Sequence, residues 1–153
     1  MKTSKYAFTM IELIFVIVIL GILASVAIPK LSATRDDAYA SKLAISIMTG
    51  ASEIAGYAMS KGNVDSNLSV MSNSILGLVN TGDAILSSKK AKIKAGNIND
   101  CVVVSIDSNA TTGTDTLNIA FSATGGDTNC QSLQNTIDAN QYPMKLRGTN
   151  VKY

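Results

Sequence analysis

Residues 7–30 read AFTMIELIFVIVILGILASVAIPK, and residues 31–61 continue LSATRDDAYASKLAISIMTGASEIAGYAMSK. Between Phe8 and Ile28 the one charged residue is Glu12, so 21 residues form an apolar block close to the ~20 that a bilayer-spanning helix needs. Beyond it, Tyr39, Leu43, Ile47, Ala51, Ile54 and Ala58 recur at spacings of three and four, the period of a helix with one buried stripe. Only Pro29 interrupts the pattern, so a single helix is predicted from about Phe8 to about Met59, roughly 75–80 Å long. Proline has no N–H to offer the Ser25 carbonyl, and it is expected to bend the helix, with Gly21 lowering helix propensity nearby.

The rest of the composition follows from that block. The chain has 153 residues, enough for one modest domain, and its 46% hydrophobic content is concentrated at the front. Residues 1–7, MKTSKYA, form a basic leader whose Lys2 and Lys5 favour retention of the N-terminus on the cytoplasmic side, with the remainder exported. The whole chain carries 13 Lys+Arg against 11 Asp+Glu; without the two leader lysines the charges balance. That balance argues against a general nucleic-acid binder. With no His, a catalytic or zinc constellation is not encoded by any spacing, and no enzyme activity, metal or cofactor is expected.

After Gly62–Asn63 the character changes. Leu68, Met71, Ile75 and Val79 keep helical spacing and predict a short second helix. The run SSKKAKIKAGNIND reads as polar and basic, and DCVVVSID, TLNIAFS and MKLRGTNVKY predict three or more antiparallel strands. Alternation places Leu117, Ile119 and Phe121 on one face, suited to packing on the helix. The expected fold is α+β: a leader (1–7), a long helix (8–60, with 8–28 the transmembrane or filament-core part) and a small sheet-bearing head (61–153). Cys101 and Cys130 both fall in the exported part, where one disulfide is the economical reading of an even cysteine count.

The basic leader, the small Ala7, then Phe8, Thr9, Glu12 in an apolar run, Gly21 and Pro29 together resemble the N-terminal signature of type IV pilins and type II secretion pseudopilins. Ala7 departs from that pattern, in which Gly usually precedes the cut. The resemblance implies cleavage between Ala7 and Phe8 and methylation of the new Phe8 amine by a membrane prepilin peptidase. It further implies identical or related pilin subunits, an inner-membrane assembly platform and the lipid bilayer as partners. The chain is then an inner-membrane single-pass precursor with its head exported, and afterwards part of a periplasmic or cell-surface filament.

Glu12 has its own physical argument. A carboxylate in a spanning segment costs ~2.5–3.5 kcal/mol on lenient insertion scales and calls for a partner. The Phe8 amine freed by the cut supplies one, within the chain or from a neighbour. Thr9 belongs to the same assembly set, while Gly21, Ala24, Ser25 and Ala27 permit close helix contact. Competing readings are an ordinary single-span anchor and a secretory signal cut after Ala27; a mature N-terminus at Phe8, Met1 or Ile28 separates the three.

Three weaker motifs complete the sequence. Lys89, Lys90, Lys92 and Lys94 form a basic cluster read as a solvated face in preference to a phosphate contact. Asp107, Asn109, Thr111 and Asp115 alternate as in a calcium loop, but the spacing fails the EF-hand pattern and a β-turn is the better reading. Asn67-Leu68-Ser69 and Asn109-Ala110-Thr111, each with an Asp two residues upstream, are candidate glycosylation sites beside the plainer reading of turn-forming residues. Pilus subunit and secretion pseudopilin share residues 1–60; the disulfide and the polar head favour the pilus.

Overall fold

A computed structural model of the chain describes residues 8–109 and 113–147. Its elements are α1 (Met10–Lys61), α2 (Leu68–Met71), α3 (Asn73–Asn80), β1 (Ala84–Ser87), β2 (Lys90–Ala95), β3 (Ile98–Asn109), β4 (Thr114–Phe121), α4 (Thr128–Thr136), a 3-10 turn (Ala139–Gln141) and β5 (Met144–Arg147). The strands form one antiparallel sheet in chain order, β1-β2-β3-β4-β5. The fold is α+β, a long N-terminal helix with a five-stranded sheet. The chain divides into two compact units, one ending at Asp36 and one beginning at Asp37.

In the first unit α1 runs unbroken through Pro29, and every described residue from Phe8 to Asp36 is exposed. Hydroxyls take up carbonyls around the proline: Ser25 Oγ donates to the Ile22 carbonyl at 2.8 Å, and Thr34 Oγ1 to the Leu31 carbonyl at 3.0 Å. Apolar side chains that find no cover within their own unit among the described residues are suited to lipid or to other helices.

The second unit holds the core. Its helical portion buries Ala40, Leu43, Ala44, Ile47, Gly50, Ala51, Ile54 and Ala58, the stripe read from the spacing apart from Tyr39, which sits at its edge with 38% exposure. On the sheet, Ala91 and Ile93 of β2 face Val104 and Val102 of β3, and Ile106 and Val104 face Leu117 and Ile119 of β4. All are buried in one cluster with the helix stripe. Phe121, expected inside, is 41% exposed at the end of β4.

Three local readings change. The predicted second helix is two, because Ser72 takes an extended conformation (φ −143°, ψ 120°) and caps α3 through its hydroxyl, which accepts from the Ile75 N–H at 3.0 Å. The restart makes Leu78 the buried partner of Ile75, with Val79 only half-buried. The basic run, read only as polar and basic, contains a strand: KAKIKA is β2, with Ala91, Ile93 and Ala95 buried and Lys90, Lys92 and Lys94 exposed. Period-two alternation with lysine on the solvent side is an ordinary strand pattern. Residues 148–153 of the last predicted strand lie outside the described residues.

Two ties stiffen the end of the sheet near α4. The Asp127 carboxylate accepts the N–H groups of Asn129 and Cys130 at 3.0 Å each, capping α4, and the Asn97 N–H at 2.9 Å, holding the β2–β3 turn. Those donors, Asn97 first, hold its carboxyl below the usual range. Beside it, Cys101 of β3 and Cys130 of α4 form a disulfide with a Cα separation of 5.6 Å. Gln134 Nε2 donates to the carbonyls of Cys101 (2.9 Å) and Ser122 (2.8 Å), closing the adjoining ends of β3 and β4. In the chain-entropy picture a crosslink across about 30 residues contributes roughly 3–4 kcal/mol, a large share for a domain this small.

Candidate functional site

The site begins where α1 begins. Thr9 precedes the helix, and its backbone N–H and hydroxyl both donate to Glu12 Oε2, at 2.8 and 2.6 Å. In return Thr9 Oγ1 lies 3.4 Å from the Glu12 N–H. Thr9-Met10-Ile11-Glu12 is therefore a capping box, in which the side chains at the N-cap and third helical positions satisfy each other's backbone N–H. The carboxylate also lies at the positive end of the helix.

This changes the account of Glu12. The carboxylate has local donors before any neighbouring subunit is considered, which lowers the cost of carrying it into an apolar phase. The signal was present in the sequence as a threonine three residues before a glutamate at the head of an apolar run. Thr9, expected among the assembly residues, is the direct partner of Glu12. Phe8 is 85% exposed at this end of the chain, and Ala7 lies outside the described residues.

Along the same helix, a Cβ built on Gly21 meets nothing within 4 Å. No contact among the described residues requires glycine at that position. Gly50 is the opposite case: a Cβ there would stand 2.9 Å from Ile75 Cγ1 and 3.2 Å from Ser72 Oγ, so its absence lets α3 lie against α1.

Polar ties hold the α3 region to the helix as well. Glu53 accepts from Ser72 Oγ (2.6 Å), the Ser74 N–H (2.9 Å) and Ser74 Oγ (3.1 Å). Partial burial by itself would raise the Glu53 carboxyl, but these bonds outweigh it and hold the group below its usual range. Tyr39 donates its hydroxyl to Asp83 Oδ1, and Thr81 Oγ1 donates to Asp83 Oδ2 at 2.7 Å. Burial, then the hydrogen bond and charge of Asp83, push the Tyr39 phenol up to about 12.

The remaining candidate residues belong to the second unit. Asn67 is exposed and caps α2, its Oδ1 accepting the Ser69 N–H (3.1 Å) and Ser69 Oγ (2.9 Å), while Leu68 between them is fully buried. Asn109 ends β3; Ala110 and Thr111 lie outside the described residues. Asp107 and Asp115 belong to paired strands, and Asp115 is bound to Arg147 with Oδ2 3.2 Å from Nε.

The chain thus has a helix long and apolar enough to cross a membrane, and the one carboxylate of its apolar segment 8–28, Glu12, is capped at the helix start. Residues 2–28 match the prokaryotic N-terminal methylation motif, the signature of type IV pilins and pseudopilins. Neither the curated proteins nor the solved structures yielded a match to the chain.

Proposed function

We propose that the chain is a structural subunit of a type IV pilus-like filament, matured by cleavage between Ala7 and Phe8 and assembled through residues 8–28. The observation that carries this reading is the first unit itself: an apolar helix exposed from end to end, with Glu12 capped at its start. In lipid the apolar surface holds the precursor in place; in a filament the same surface packs against neighbouring helices. Cleavage would place the Phe8 amine beside the Thr9–Glu12 box, where it or a neighbour's amine neutralises the carboxylate. The tied end of the sheet, with its disulfide, suits a subunit displayed outside the cell and favours the pilus over a secretion pseudopilin.

The experiment separates insertion from assembly. Glu12→Ala is expected to insert as well as the wild type or better, since a charge leaves the apolar segment, while filament yield falls at least tenfold in competition with wild type. Normal incorporation of the variant would contradict the proposed pairing.

A further inference from the structure

The acidic and basic residues of the unit beginning at Asp37 are used differently. Glu53, Asp83, Asp115 and Asp127 are engaged by serines, a tyrosine, an arginine and backbone N–H groups of their own domain. Lys90, Lys94 and Lys145 make no ion pair among the described residues, and Lys92 has only a loose one, 3.9 Å from Asp100, with both side chains about half exposed. The internal use of these four carboxylates leaves the lysines of β2 and β5 directed outwards.

Strand register collects that charge on one face. Lys90, Lys92 and Lys94 alternate with the buried Ala91, Ile93 and Ala95, so they stand on the side of the sheet away from the core. Lys90 is opposite Ser105, which is opposite Asn118; Lys92 is opposite Val103, which is opposite Ala120. Lys145 of β5 is opposite Thr116, on the same side as Asn118. Successive β2 lysines are about 7 Å apart, and β5 runs about 14 Å from β2, three strand spacings away. Two β3 carboxylates flank the lysine row, Asp107 one row beyond Ser105 and Asp100 in its loose pair with Lys92.

We propose that this outer sheet face binds an acidic polysaccharide, a polymer bearing regularly spaced carboxylates. The lysine row supplies compact point charges at a repeating interval, and Lys145 faces it across the sheet. Asn118 and Thr116 offer amide and hydroxyl groups for sugar hydroxyls, and Val103 and Ala120, in the row on the other side of Asn118 from Thr116, offer C–H surface to the rings. Among the described residues this face has no aromatic side chain on which a base could stack, and the β5 arginine is committed to Asp115, so nucleic acid fits it less well. Several weak charge contacts along one polymer add through effective concentration. This inference goes beyond the filament reading and does not depend on it.

The test uses the full-length chain in non-ionic detergent micelles over immobilised polygalacturonate, neutral dextran and duplex DNA at low ionic strength. Retention on polygalacturonate, loss of that retention with added salt, and no retention on dextran are expected. Replacing Lys90, Lys92 and Lys94 together by Gln should weaken binding about tenfold or more, while replacing all three by Arg keeps it. Because these side chains are exposed, both triple variants should unfold at the wild-type temperature; the Arg variant separates lost charge from a lost fold. Equal retention of the Gln variant, retention on dextran, or tighter retention on DNA than on polygalacturonate would overturn the proposal.

Discussion

Gly96 and Asp127 occupy space that no side chain at position 96 could share. A Cβ on Gly96 would lie 2.3 Å from Asp127 Oδ1 and 2.4 Å from Oδ2, and the residue has φ +57°. The carboxylate reaches over the β2–β3 turn to take the Asn97 N–H while it caps α4, so it has little freedom to retreat.

Gly96→Ala should therefore combine left-handed backbone strain with loss of the cap, about 2–3 kcal/mol together. In an Asp127→Ala background the same change should cost less, because the collision is gone. Thermal unfolding of the four proteins of this cycle measures the coupling. Additive losses would show that the contact is not what demands glycine.

The Glu53 carboxyl is depressed in the folded chain, so its contribution is present above the unfolded carboxylate range, near pH ~4.3, and is lost as pH falls through the folded value. Glu53→Gln should cost about 1–2 kcal/mol at pH 7, and the gap to wild type should close as pH falls below that range. Asp127, shifted the same way, steepens the acid limb of both proteins equally. A gap that is constant with pH would mean that the serines stabilise the fold independently of the charge.

Two glycines of α1 should respond oppositely to alanine. Gly50→Ala gains about 1 kcal/mol of helix propensity but forces Ile75 and Ser72 to move, so a net loss of up to about 2 kcal/mol is expected. Gly21→Ala meets no atom of the described residues and should leave the unfolding temperature of the solubilised protein unchanged or higher. Filament yield should nonetheless fall, because the added methyl groups keep neighbouring helices apart. Unchanged yield would remove Gly21 from the assembly surface.

Elements with strong periodicity were legible in the sequence, and those decided by tertiary packing were not. Leu43 to Ala58 showed the buried face of α1, and TLNIAFS and DCVVVSID showed β4 and β3. KAKIKA was read by its charge, although its alternation is that of a strand; the lysines obscured three small buried residues. α4, with polar TNCQSLQNT, buries only Cys130 and Leu133, too few for a helical stripe, and is fixed by the Asp127 cap and the disulfide instead. At the site, Glu12 was legible as a charge in an apolar run, whereas its partner Thr9 required attention to helix capping.

Maturation at Phe8 is proposed to precede assembly, and the intact mass of subunits from purified filaments decides it. The mass expected is that of residues 8–153 plus one methyl group, less two hydrogens for the Cys101–Cys130 disulfide; any further mass localised to Asn67 or Asn109 would report glycosylation. Subunits that begin at methylated Phe8 bear the account out. Filaments whose subunits retain Met1, or begin at Ile28, would contradict it.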